Sequence, residues 1–388
     1  MKEWKLGVYV QPDAVAADPD YAKRLVEEAG VDHFVLRAGY DLVIPAALEA
    51  AIAVVKDVKA QACCMAGTWW YPEMEILDLP YKSFEGQYPM TMPGGALDAG
   101  IAAKLEKLCG QYKADAVCLS HARYRHPAHI EGIYNDGAGD SAYMARMEKA
   151  GVTRAEVLAA RAAVERALAS SDKAALMKAS EDGLIPFLSN LSGGDALDRY
   201  FAFRRGTVMD AFRTFHQAVK KYDGATFGTN AYSPIGFRVC GQDYDAFAET
   251  CEFVQPLFPY MEYHHLQPIA AWARYVRRHA GLDDASAIEI ARRLLYLGDA
   301  TCPESIEELD TCGEGDDKTV ASIVGKEVQL CAPYASKPYR VLPVIRGQGW
   351  GRPVIDRLTE EIKSLYDGIV YMGCDYLVPG SQAPDGWF

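Results

Sequence analysis

Eight short apolar runs punctuate the chain, at 6–12, 33–40, 60–71, 114–124, 225–233, 253–264, 339–348 and 368–377. Most are near-continuously hydrophobic in their first half, as strands buried on both faces of a parallel sheet are. Between them apolar positions recur at helical spacing. Segments 20–29 and 45–55 read as helices, 98–112 aligns Ile101, Leu105 and Leu108, 200–222 aligns Phe203, Val208, Phe212, Phe215 and Val219, and 354–366 completes the set. Strands alternating with helices predict a parallel sheet with right-handed crossovers.

Eight such units are the number at which a sheet closes on itself. The expected fold class is therefore α/β, a (β/α)8 TIM barrel over 1–388 as a single domain. An open doubly wound sheet would carry a Gly-rich first turn. Here that turn is Val10-Gln11-Pro12-Asp13, and no GxGxxG or Walker motif occurs. Two long segments interrupt the spacing: 128–197 after the fourth run, with helices at 153–168 and 173–179, and 265–337 after the sixth, with helices at 267–279 and 284–297. Both leave the C-terminal ends of strands, the face on which this fold places its active sites. They are expected as helical insertions, either walling the site or serving as added packing or a subunit contact.

The remaining bulk properties narrow the partners. Half of the 388 residues are hydrophobic, enough for a core that needs no disulfide or metal staple. No apolar run is long enough to span a bilayer, and the start Met1-Lys2-Glu3-Trp4-Lys5 lacks the apolar stretch of an export signal. A cytoplasmic location is expected. Of the ten cysteines, Cys63, Cys118 and Cys374 lie in apolar runs and none has zinc-finger spacing, so neither a metal nor a cofactor is expected. A net charge of −13 argues against a nucleic-acid partner and an anionic membrane surface, and is silent on a neutral small molecule. A homo-oligomer stays open.

The tips of the runs gather planar polar and aromatic groups. Candidate ligand-binding residues are Arg37, Tyr40, Trp69, Trp70, His121, Arg123 and Tyr124, followed by Asn230, Tyr232, Tyr263, His264, Arg346, Gln348 and Trp350. A few placed polar groups among aromatics is the pattern of a small-molecule pocket, and aromatic faces suit the C–H faces of sugar rings. Any one aromatic here is more often packed under a helix than presented to a ligand; the collective pattern carries the functional reading. Glycosidic cleavage needs two carboxyls flanking the bond. Glu262 and Asp375 are the leading candidates, with Asp243 in Gly241-Gln242-Asp243-Tyr244 third. Period-two counting groups Phe258, Tyr260, Glu262 and His264, and likewise Tyr371, Gly373 and Asp375. If those faces point inward, both carboxylates overhang the mouth.

Three stretches bear a family resemblance. Ala114-Asp115-Ala116-Val117-Cys118-Leu119-Ser120-His121-Ala122-Arg123-Tyr124 is similar to a fourth-strand DG(I/V)xLDxxRY pattern. Phe203-Arg204-Arg205, with the helix that runs to Lys220-Lys221, looks like the family's helix before the fifth strand. Gly241-Gln242-Asp243-Tyr244, then Phe253-Val254-Gln255-Pro256 to Tyr260-Met261-Glu262-Tyr263-His264, resembles a GQDY…DxVxPMxYH stretch. On these motifs the chain resembles the glycoside-hydrolase-like barrels, a broad set of bacterial families. The likeness covers roughly 5–125 and 198–265, more weakly 339–377, and leaves out both long segments. It implies a barrel enzyme acting on a carbohydrate. One departure matters: the family's fourth-strand Asp is Ser120 here, followed by His121.

Three readings follow. In the first, Glu262 is general acid/base and Asp375 nucleophile or base of a glycoside hydrolase. In the second, a lyase, epimerase or metal-dependent enzyme uses His121, His264, Glu262 and Asp375. In the third, the chain binds sugar without turning it over. Fold alone does not choose among them.

Overall fold

Among the described residues there are nine strands: β1 (Lys5–Val10), β2 (His33–Arg37), β3 (Gln61–Gly67), β4 (Ala116–Ser120), β5 (Thr226–Ala231), β6 (Phe253–Pro256), β7 (Arg340–Val341), β8 (Val344–Arg346) and β9 (Gly368–Met372). They form one curled parallel sheet in the order β7-β6-β5-β4-β3-β2-β1-β9-β8. The computed structural model describes residues 4–39, 42–69, 92–95, 97–125, 127–137, 140–258, 261–311 and 317–378; of 261–265, 310 and 311 it describes the backbone.

Eight runs become nine strands because the seventh is broken at Leu342-Pro343. Proline has no N–H to give to a ladder. The break does not change the register: Val254 pairs with Val341 and Leu257 with Val344, the same offset on either side of the proline. Leu342 N donates to Val254 O at 2.8 Å and Phe258 N to Val344 O at 2.9 Å, while β8 pairs along β9. The two ends of the strand order are thus two halves of one segment lying between β6 and β9. The sixth run also differs from expectation. Its strand stops at Pro256, and a helix starts at Met261 and runs to Ala280.

Side chains of the strands alternate between two cores. An outer one, including Val8, Phe34, Leu36, Val117, Leu119 and Phe227, packs under the helices. An inner one joins Tyr9, Val35, Cys63, Met65, Ala116, Cys118, Phe253, Leu257, Leu342, Val344, Val370 and Met372. Gly228 of β5 keeps this interior open: a Cβ there would lie 2.5 Å from the Phe253 ring. Polar groups thread the interior as well. Tyr9 Oη lies 2.6 Å from Asn230 Oδ1 and 2.8 Å from Gln255 Oε1, and Cys118 Sγ lies 3.3 and 3.4 Å from the same two oxygens. Two donors face two acceptors, so this buried square can satisfy every member, the condition under which a buried polar network is stable.

Helices cover the outside. Between β4 and β5 come Ile130–Asn135, Ser141–Lys149, Arg154–Ser170, Lys173–Ala179, Leu184–Ser192 and the long Ala196–Val219. Arg154–Ser170 starts on a capping box: Thr153 Oγ1 accepts from Glu156 N, and the Glu156 carboxylate accepts from Thr153 N. Between β6 and β7 come Met261–Ala280, Asp284–Leu294, Ile306–Thr311 and Asp317–Cys331. Among the described residues, no helix is long and apolar enough to cross a membrane.

Candidate functional site

Where the inner apolar packing ends, at the C-terminal tips of the strands, polar side chains take over. Alternation carries Arg37 on from Val35, Ser120 from Cys118 and Arg346 from Val344, each two residues beyond a member of the inner core. Arg37, His121, Arg346 and Gln348 are all partly exposed.

The tip of β4 has the most distinctive geometry. Ser120 is buried, and its Oγ lies 2.9 Å from His121 Nδ1. His121 has φ 57°, in the left-handed region that side chains other than glycine enter at a cost of about 1–2 kcal/mol. The strained turn is pinned on both sides. Thr68 Oγ1 donates to Ser120 O at 3.1 Å, and Arg123 N donates to His121 O at 2.8 Å. Such strain persists only where surrounding bonds over-determine it, and it is characteristic of working sites.

The other aromatic and polar candidates are packed. Trp69 is fully buried, and its Nε1 donates to Asp98 Oδ1 at 2.8 Å. Burial, partly offset by that bond, by the Gly94 amide and by Arg146, holds the Asp98 carboxyl above the usual range. Tyr124 is also fully buried, with its hydroxyl 2.8 Å from Thr207 Oγ1 and the Arg204 guanidinium 4.2 Å from its ring centre. Arg123 donates to Tyr124 O at 3.1 Å and stacks 5.3 Å from the buried Tyr232 ring. Asn230 belongs to the inner square, and Trp350 packs in the outer core. These residues build the walls behind the strand tips. Tyr40 and Trp70 lie outside the described residues, as do the side chains of Tyr263 and His264.

Of the candidate carboxylates, Asp375 and Asp243 can be placed, and the side chain of Glu262 lies outside the described residues. Phe258 packs in the outer core while its neighbour Leu257 packs in the inner one. Beyond Pro256 the strand alternation no longer applies, and Glu262 stands in the first turn of Met261–Ala280. Tyr371 likewise points outward, its hydroxyl 2.7 Å from Thr359 Oγ1 of helix Arg352–Leu365. The next inner residue, Met372, ends β9, Gly373 turns at φ 96°, and Asp375 is exposed in the loop beyond. Asp243 accepts from the amides of Asp245 (2.9 Å) and Ala246 (3.3 Å) and lies 3.3 Å from Arg205. With Arg205, Arg238 and Gln242 it lines a cleft of about 390 Å³ against the long helix Ala196–Val219.

Two supporting groups escaped the sequence. Lys104, nearly buried on the Ile101–Leu105 face of its helix, donates to Gly39 O at 3.0 Å and Val43 O at 3.3 Å, tying down the loop after β2. Its signal was a lysine set between Ile101, Leu105 and Leu108. Gln242, fully buried, accepts from Tyr232 N at 2.7 Å and donates to Ala122 O at 3.2 Å, clamping the tips of β4 and β5 together. Among the described residues, no group of three or more His, Cys, Asp or Glu could hold a metal ion.

No family model and no curated protein matches the chain. Among solved structures it is similar to a cycloisomaltooligosaccharide glucanotransferase of Paenibacillus sp. complexed with cycloisomaltoheptaose (10% identity, TM-score 0.34), over 72% of this chain and 37% of that one. It is also similar to an inactive double mutant of MUTB (8%, TM-score 0.36), over 89% and 57%. A hyperthermophilic beta-glucosidase mutant (9%, TM-score 0.40) aligns over 96% and 90%. The chain thus spans well under two thirds of the length of the first two. Likenesses this loose say nothing about chemistry.

Proposed function

We propose that the chain is a carbohydrate-active enzyme on a (β/α)8 barrel with helical insertions after the fourth and sixth strands, and that it hydrolyses a glycosidic bond at the C-terminal mouth. The supporting observation is the switch at the strand tips from an apolar interior to the partly exposed Arg37, His121, Arg346 and Gln348, where barrel enzymes place their catalytic groups. Planar Arg and Gln groups suit paired hydroxyls. Glu262, just beyond β6, serves as general acid/base, and Asp375, just beyond β9, as nucleophile or base. Ionised Asp375 and protonated Glu262 are the two states the cleavage requires.

The test is Glu262→Gln and Asp375→Asn on aryl glycosides of different leaving-group acidity. Loss of a general acid lowers turnover about 10²–10⁴-fold, and the loss shrinks for the most acidic leaving groups, which depart unaided. Turnover by Glu262→Gln equal to the parent on every substrate removes Glu262 from the mechanism.

A second reading rests on the strained Ser120–His121 turn. There His121 moves the proton, in a lyase or epimerase reaction on a sugar. His121→Gln would then abolish turnover while Glu262→Gln retains it.

A further inference from the structure

The cleft of about 390 Å³ that Asp243 lines falls within the size range of small-molecule pockets. One wall is the helix Ala196–Val219, where Asp198, Phe201 and Arg205, at spacings of three and four, share a face. The other is the loop after β5, which contributes Arg238, Asp243 and Asp245. Ile185, from helix Leu184–Ser192, adds a second apolar side chain beside the nearly buried Phe201. The buried Gln242 lines the cleft as well. An occupant would therefore lie against the side chain that joins Ala122, next to His121, to Tyr232.

The lining by itself carries two guanidiniums and three carboxylates. Two of the acids are committed. Asp243 holds two loop amides with one oxygen and Arg205 with the other. Asp245 pairs with Lys337 at 2.6 Å. Asp198 is exposed and spends one oxygen on Ser189 Oγ, at 2.6 Å, while its second accepts no hydrogen bond among the described residues. Arg238 is exposed too. Its guanidinium lies 5.4 Å from the centre of the Phe237 ring and, among the described residues, makes no hydrogen bond or ion pair. One cleft thus presents an uncommitted guanidinium and an uncommitted carboxylate oxygen that are not bonded to each other. A ligand carrying only negative charge would meet an acidic lining, and one carrying only positive charge would leave Arg238 unused.

We propose that this cleft binds a free α-amino acid with an apolar side chain, its carboxylate held by Arg238, its ammonium by Asp198 and its side chain lying over Phe201 and Ile185. The planar guanidinium offers a carboxylate two parallel N–H groups, and a carboxylate oxygen accepts from an ammonium in a charge-assisted bond. The site uses none of the groups assigned to glycosidic cleavage and does not depend on that reaction.

The experiment titrates the full chain by calorimetry at pH 7 and low salt with L-leucine and three partial ligands. These are 3-methylbutylamine, which lacks the carboxylate, 4-methylpentanoate, which lacks the ammonium, and glycine, which lacks the side chain. Saturable one-to-one binding of leucine is expected, tighter than each of the three. Arg238→Gln should weaken leucine at least about tenfold, to the level of 3-methylbutylamine, and Asp198→Asn should weaken it as much, to the level of 4-methylpentanoate. Both changes spare the fold: Arg238 is exposed, and Asn keeps an oxygen for Ser189 Oγ. Thermal unfolding midpoints equal to the parent's, measured without ligand, check this. No saturable binding of leucine, undiminished binding by either variant, or a partial ligand that binds as tightly as leucine overturns the proposal.

Discussion

The carboxylate of Asp115, one residue before β4, accepts the amide of Ala62 in β3 at 2.9 Å. The same contact recurs two strands away in each direction, from Asp32 to Leu6 and from Glu252 to Phe227. Each acid stands just before an even-numbered strand and grips the second residue of the strand before it. A carboxylate in that position fixes the parallel register at the strand's first bond, where a slip of one residue would exchange the inner and outer cores.

Asp115→Ala should therefore destabilise the chain more than Lys56→Gln. The first change leaves a strand amide without its charged acceptor, a loss of about 1–2 kcal/mol. The second removes a half-exposed ion pair, whose contribution is about 0–1 kcal/mol. Urea denaturation of both variants decides the order.

Gly228 and Phe253 are register partners on the adjacent strands β5 and β6, with no room for a methyl group between them. Gly228→Ala should cost about 1–3 kcal/mol by overpacking. Phe253→Leu in the same chain should return part of that loss. Simple additivity of the two changes in a double-mutant cycle would show that the contact is not what sets the cost.

Burial lowers the pKa of His33, opposed by its bond to Gln61 and the field of Asp32. The unfolded chain then binds the proton more readily than the folded one. Stability contributed by neutral His33 is fully present above the unfolded value of about 6.5 and is lost as pH falls from there towards the lower folded value. Denaturation midpoints should fall between pH 7.5 and 5 in the parent and fall less in His33→Gln.

Trp69 is buried and bonded to Asp98, so it acts as a strut rather than a platform for ligand. Trp69→Phe should lower unfolding free energy by about 1–3 kcal/mol through the lost bond to a half-buried carboxylate. Sugar affinity measured at equilibrium should hold steady. A selective loss of affinity with unchanged stability would return Trp69 to the ligand surface.

The architecture was legible because buried parallel strands leave dense apolar runs: His33, Gln61, Phe253 and Gly368 each fall at or within one residue of where a run begins and a strand starts. That density is also why the faces were hard to assign. With both sides of a strand buried, Leu257 and Phe258, or Tyr371 and Met372, read alike, and only their partners show which core each joins. The sixth run was read through to His264 because its aromatic residues suit a strand, although its sequence holds Pro256 and Pro259 and the strand itself ends at Pro256. Ser120 and His121 could be singled out as a departure from the family pattern. The left-handed turn that joins them depends on Thr68 and Arg123, from different parts of the chain.

The interruption at Leu342-Pro343 gives the ring a natural seam. Among the described residues, strands that follow one another in the chain are elsewhere separated by long crossovers, but here one short stretch grips β6 with its first half and β9 with its second. A chain reopened at that point, with its old termini linked, would begin and end on two half-strands that must find each other to complete the circle. Until they do, β6 and β9 stand as bare edges, ready to recruit a neighbouring molecule in place of their own missing partner.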